Sequence, residues 1–193
     1  MSTEAAMKHS LFALSIFACA LLGLQPAMST EQPAPMTHQQ KVANAMSAAP
    51  AEISRHATIK DWPAKEGGEL RVLRQGSNSW VCLPDDPSTS GNDPMCLDRQ
   101  WQQWAQAYMA KTKPHIQHAG IAYMLNTNAE VSNTDPYATG PTAHNQWHKI
   151  GPHIMLLIPD PKQLEGISSD PHSGGPYVMF KGTPYAHVMV PVQ

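Results

Sequence analysis

Proline divides this chain into short pieces. Eighteen prolines and twelve glycines are spread through 193 residues. Proline lacks a backbone donor and fixes φ, so it is kept out of helix interiors and central strands. Five of the prolines follow aspartate: Asp86-Pro87, Asp93-Pro94, Asp135-Pro136, Asp160-Pro161 and Asp170-Pro171. Aspartate before proline suits a turn or a helix start, because the carboxylate accepts free N–H groups and proline presents none. The pairs punctuate the chain without forming a repeat. They predict short elements joined by many turns and long ordered loops.

The N-terminus reads as an address. Lys8 and His9 precede an apolar run from Leu11 to Leu24. A bilayer span needs ~20 apolar residues, so this run fits better as the apolar region of a secretory signal. Ala27-Met28-Ser29 offers small residues at the spacing of a cleavage site, which makes residues 1–29 a signal peptide. The expected location is the periplasm or the medium. A lipoprotein anchor at Cys19 is disfavoured by Phe17-Ala18 before it and the apolar Ala20-Leu21-Leu22 after it. No membrane span is expected in the mature chain.

Removing that segment leaves Cys82 and Cys96. In an oxidising compartment an isolated pair this close is most simply a disulfide. Metal thiolates are the rival reading, but no further cysteine or histidine lies between them. The net charge is −2 with no Lys/Arg cluster, which argues against nucleic acid as a partner.

The remaining chain reads as a flexible leader or short helix over 30–50, followed by a single α+β domain over 51–193. His38 to Ala48 is the helix candidate in the first part. Alternation predicts a strand over Glu52–Lys60. A hairpin is expected between Glu69–Arg74 and Ser79–Leu83 around Gly76. Asp93-Pro94 opens an amphipathic helix with Leu97, Trp101, Trp104, Ala105 and Tyr108 on one face, expected to be the one long helix of the domain. The two tryptophans read as core packing, with an aromatic ligand platform as the alternative. Asp86-Pro-Ser-Thr-Ser-Gly91 imitates the first half of a calcium loop, but the twelfth position is Leu97 instead of a bidentate Glu. Ile121–Leu125 and Ile154–Ile158 are strands, separated by a long loop over Asn126–Lys149. Asp160-Pro161 begins a helical turn, and Tyr177–Lys181 with Tyr185–Val190 forms a terminal hairpin. The sum is a mainly antiparallel sheet with one long amphipathic helix packed on it.

Chemistry concentrates late in the chain. Residues two apart on a strand share a face. His153, Met155 and Leu157 therefore align, as do Tyr185, His187 and Met189, and Tyr177 with Met179. If these strands are neighbours, a His/Met/Tyr surface results. His144 and His148 lie on the loop leading into it. Imidazole suits zinc and copper, and thioether suits copper(I). The expectation is a transition-metal site of His153 and His187, completed by His144 or His148, or a small-ligand site on the same face. A second reading is a hydrolase using His153 or His187 as general base, oriented by Asp135 or Asp160, with Ser77, Ser79 or Thr142 as nucleophile. A third is a non-catalytic envelope protein that binds partners through the long loop.

Several stretches carry a resemblance: Trp80-Val-Cys-Leu-Pro-Asp85, Asn92-Asp-Pro-Met-Cys96, Ala138-Thr-Gly-Pro-Thr142 through Gly151-Pro-His-Ile-Met-Leu-Leu-Ile-Pro-Asp160, and Gly175 through Val192. In these the chain resembles a group of exported bacterial proteins with no assigned activity. The resemblance implies export and a shared fold, and no catalytic residues.

Overall fold

The computed structural model describes residues 35–65 and 67–192. The signal segment over 1–29 and Cys19 lie outside the described residues. From Pro35 onward the chain forms one compact unit. Among the described residues, the α-helices are α1 (His38–Met46), α2 (Ala51–Ser54) and α3 (Arg99–Met109). The strands among the described residues are β1 (Thr58–Asp61), β2 (Arg71–Arg74), β3 (Val81–Leu83), β4 (Met95–Leu97), β5 (Gly120–Met124), β6 (Glu130–Ser132), β7 (Trp147–Lys149), β8 (His153–Leu157), β9 (Tyr177–Met179) and β10 (His187–Pro191). Eight of them make one sheet in the order β2-β1-β3-β4-β5-β8-β10-β9, and β6 pairs with β7 alone. Only the β1–β3 pair in the large sheet is parallel. The α+β class and the mainly antiparallel sheet are as the sequence predicts.

The details differ in four places, each for a local reason. The amphipathic helix starts at Arg99, six residues after Asp93, and is eleven residues long. It is not a long helix. Asp98 is its cap, accepting from Trp101 N at 2.9 Å, while its other oxygen accepts from Ile121 N on β5 at 2.6 Å. Asp93 instead accepts from Asp86 N, and Met95–Leu97 extends as β4 because it pairs with both β3 and β5. Gly120 lets the helix sit this close, since a Cβ there would lie 2.7 Å from Gln100 Cβ.

The hairpin expected around Gly76 does not form, because β1 lies between its two arms, antiparallel to β2 and parallel to β3. The β2–β3 loop is pressed against the start of β1. Ser77 N and Asn78 N both donate to His56 O, and a Cβ on Gly76 would meet the Ala57 carbonyl carbon at 2.3 Å. The strand expected over Glu52–Lys60 splits into α2 and β1. The long 126–149 loop carries its own ribbon, β6 with β7.

The 30–50 segment contributes α1, and it belongs to the domain. Thr37 and Gln40 form a capping box at its start, which satisfies two free N–H groups reciprocally. Ala45, Ala48 and Ala49 are buried. Lys41 reaches Asp61 on β1 at 2.9 Å, and Arg71 on β2 reaches the same carboxylate at 2.8 Å. Burial pushes the Asp61 carboxyl up, but the two cations prevail and hold it below the usual carboxylate range.

Strand alternation sorts the interior into three clusters. One face of the sheet carries Leu83, Leu97, Ala122, Met124, Met155, Leu157, Tyr177, Met179 and Met189, covered by Trp101 and Trp104 of α3. Behind the β1–β5 half, Ile59, Cys82 and Cys96 pack on the alanines of α1 and its following turn. Behind the β8–β9 half, Val178 and Val188 pack with Leu164 from the short Pro161–Leu164 turn. Cys82 and Cys96 are cross-strand partners on β3 and β4 and form the disulfide.

Candidate ligand-binding cavity

Beneath α3, on the face that carries the methionines, the packing opens into a cavity of about 730 Å³. That volume lies within the ~300–1,000 Å³ range of small-molecule sites. Trp101, Trp104, Ala105 and Tyr108 of α3 form one wall. Leu83, Leu97, Met124, Met155, Met179 and Met189 come from six strands of the large sheet and form the floor. Ala129, Val131 and Ile150, in and beside the β6–β7 ribbon, close one end. Trp62, Leu70, Lys60, Glu69, Asp86 and Asp93 also line it. Methionine has three rotatable bonds and a polarisable sulfur, so a methionine floor can adapt to different shapes.

Three of the lining residues carry buried polar atoms without a partner. Trp101 Nε1, Trp104 Nε1 and His187 Nε2 are buried and have no hydrogen-bond partner. Their rings adjoin one another, with centroids 5.0 Å apart for the tryptophans and 5.1 and 5.6 Å from each to His187. The His187 ring stands nearly perpendicular to both indoles. Ring-face contacts of this kind compensate a buried N–H only weakly. Each buried polar atom left unpaired costs about 1–3 kcal/mol, so three together call for an explanation.

The chemistry of His187 follows from its partner. Nδ1 lies 2.9 Å from Tyr185 O, and a carbonyl only accepts, so Nδ1 carries the proton. Burial pulls the ring's pKa down to about 4, with a smaller push from His153, against the pull of the Tyr185 carbonyl. At neutral pH the ring is therefore uncharged and Nε2 is a bare acceptor. His153 is built the same way: Nδ1 is 2.8 Å from Gly151 O, Nε2 is buried without a partner, and burial holds its pKa at about 4.

Asp93 adds a second unusual group. Its carboxylate accepts from Asp86 N and Thr89 Oγ1, both at 2.8 Å. Burial pushes its pKa up to about 7, and the neighbouring Asp85 pushes the same way.

The four histidines predicted as metal ligands are not gathered. His153 and His187 share a face of β8 and β10, but His153 pairs with Pro191, at the opposite end of β10 from His187. His144 is exposed on the loop. His148, on β7, faces Gln146 O at 3.2 Å and the Tyr177 hydroxyl at 3.4 Å. Its nearest imidazole is His172, with ring centroids 6.0 Å apart, beside a hollow of about 350 Å³ that Asp170 also lines. Among the described residues no three His, Cys, Asp or Glu side chains stand close enough to hold one ion. Two imidazoles fall short of the three or four protein ligands of a zinc site.

The catalytic pairings expected from sequence are also apart. Asp135 accepts from Tyr137 N, and Asp160 caps the turn at Lys162 N. The contact between Ser77 Oγ and His56 Nδ1 is 3.5 Å and exposed. Among the described residues no histidine ring bonds a carboxylate; His172 donates to Asp170 only through its backbone N–H.

His187 is thus the one predicted metal ligand that lines the cavity, together with Met155, Met179 and Met189 of the same predicted face. Trp101 and Trp104 read from sequence as core, and they are, but the unpaired nitrogens are visible only in three dimensions. Comparison with known proteins returns no family model, no curated protein and no solved structure that matches the chain. The site is therefore judged on its own geometry.

Proposed function

We propose that this protein binds a small, mainly apolar molecule between α3 and the sheet, and that it does so outside the cytoplasm. The carrying observation is the cavity itself: about 730 Å³, floored by methionine and walled by tryptophan. An apolar space of this size, left unfilled, forfeits packing energy that a native core normally recovers. A ligand recovers it. Export is supported by the Cys82–Cys96 disulfide, which persists in oxidising compartments, and by the signal-like run before Gln25. No described helix is long and apolar enough to cross a membrane.

The test is direct. The full chain is expressed with export, purified without detergent, and measured by native mass spectrometry before and after solvent extraction. A bound species of defined mass, lost on extraction and regained with a lowered tryptophan emission, is the expected result. An unliganded protein that also fails to take up any apolar fluorescent probe at micromolar concentration would remove this reading.

A further inference from the structure

We propose that the cavity takes a single-chain amphiphile with a cationic head, its chain lying across the sheet beneath α3 and its head at the Lys60, Glu69 and Asp86 end. The proposal rests on the cavity reading above and names the class of molecule. One feature is extent. The lining runs from Lys60 on β1 to Met179 on β9, six inter-strand steps in the sheet order. At ~4.8 Å per step the path is roughly 25–30 Å, so the volume of about 730 Å³ is drawn out into a long, narrow space. The other feature is separation of charge along that path. Lys60 is on β1, Glu69 lies just before β2, and Asp86 and Asp93 lie on the loop joining β3 to β4. The β8–β9 side supplies Met155, Met179, Met189, Phe180 and the uncharged ring of His187. Exposure marks the mouth: the lining residues open to solvent are Gly68, Glu69, Thr89, Gln106 and Met109. An amphiphile that enters chain first leaves its head at the charged end.

The lining charges set the sign of that head. Glu69 and Asp86 outnumber Lys60, and Asp93 adds to the excess as it ionises. The Asp86 carboxylate is fixed in place, accepting from Ser88 N at 2.9 Å and Ser88 Oγ at 2.6 Å. Its charge reaches the cavity wall: the Tyr108 phenol is pushed up by burial first, then by Asp135 and Asp86. Such a field acts through its sum and needs no single point of contact. A carboxylate head would meet an excess of its own sign, with Lys60 alone in its favour. A molecule without a polar end would cover the charged groups and return nothing for their lost water.

Isothermal titration of the exported, delipidated full chain at low salt tests this with dodecylamine, 1-dodecanol, dodecanoate and butylamine, each below its micelle concentration. Dodecylamine should bind at least ~10-fold more tightly than dodecanoate, with dodecanol between them, since an excess charge a few ångströms away favours one sign and opposes the other. Butylamine should bind at least ~100-fold more weakly than dodecylamine, because eight methylenes are missing from the apolar space. Glu69→Gln and Asp86→Asn should each lower the amine-to-carboxylate ratio about threefold, and Lys60→Gln should raise it by about as much. A merely structural role for these side chains would not move the ratio in opposite directions. Dodecanoate binding as tightly as dodecylamine overturns the proposal while the cavity reading stands. If no dodecyl probe binds, both fall. Butylamine binding as tightly as dodecylamine places the amine on a charged surface outside the cavity and overturns the proposal. A ratio that none of the three substitutions moves assigns the recognition elsewhere and overturns it too. The unmodified protein alone decides the sign of the head, so a variant that misfolds does not remove the test.

Discussion

The two faces of one sheet are packed in opposite ways. Behind β1, β3 and β4, the contacts are alanine on disulfide: Ala45, Ala48 and Ala57 are fully buried around Cys82 and Cys96. In front, beneath α3, the side chains are large, Trp101, Trp104 and five methionines among them, yet they leave about 730 Å³ between them. Small residues let α1 approach the sheet closely and leave nothing to rearrange. Large flexible ones bridge a wider gap and leave room between them. The contrast assigns rigidity to one face and ligand capacity to the other, with the same strands serving both through alternation.

The largest effect that separates the faces should come from the disulfide. Cys82 and Cys96 are fourteen residues apart, and opening a loop of this size should cost ~3 kcal/mol. Cys82→Ala with Cys96→Ala should lower the urea midpoint accordingly and leave ligand affinity within about twofold, because neither cysteine lines the cavity. A large loss of affinity in a variant that still folds would mean that the rigid face shapes the cavity.

Acid should act next, and from the other face. His153 and His187 have folded pKa values of about 4 against an ordinary 6.5. Their contribution is whole above pH 6.5 and is lost as pH falls through 4, because the unfolded chain binds protons first. Asp93 runs the opposite way. With its pKa raised to about 7, its contribution is whole below 3.8 and is lost as pH rises through 7. Each group changes stability by up to ~1.4 kcal/mol per pH unit in its window. Two histidines outweigh one aspartate, so urea unfolding should show a net loss of ~1–2 kcal/mol between pH 7 and 5. His187→Phe should abolish or reverse that loss. Stability that is unchanged from pH 7 to 5 in the unmodified protein would contradict the neutral, buried state of the two rings.

The contrast between faces also marks what the sequence could say. Class, sheet and disulfide were legible because alternation and an isolated cysteine pair are local signals. The β9–β10 hairpin was legible too, with Gly182 between its strands. The insertion of β1 between β2 and β3 was not, because it depends on Gly76 meeting the Ala57 backbone from far along the chain. His187 was singled out from its strand position, but the partners assigned to it were wrong in kind. Residue type suggested other histidines, whereas the fold set two tryptophans beside it. The His/Met face and the tryptophan alternative are legible in the sequence, and both line the cavity, but the space between them is not. Trp101 and Trp104 at helical spacing look the same whether the helix is seated tightly or loosely.

The same substitution made on each face gives the sharpest comparison. Ala48 is fully buried between α1 and the sheet. Ala48→Leu adds three carbons where no space exists, and overpacking of this kind costs ~1–3 kcal/mol. The urea midpoint should fall accordingly, with ligand affinity unchanged in the folded fraction.

Ala105 faces the cavity from α3 and is half-buried. Ala105→Leu adds the same three carbons, but into open space. Leucine is nearly as good a helix former as alanine, so the helix itself loses little. The new side chain gains contacts with the methionine floor, worth ~1–2 kcal/mol if it buries fully, against the entropy of fixing its rotamer, ~0.5–1 kcal/mol. The two nearly cancel, and the expected change in stability is within about 0.5 kcal/mol. Affinity for an apolar probe should nevertheless fall by about tenfold, because the leucine takes volume the probe needs. Stability and binding would then be separated by one residue. If Ala105→Leu instead destabilised as much as Ala48→Leu, the space beneath α3 would be closed in solution. The two faces would then be packed alike, and the methionines there would serve as ordinary core.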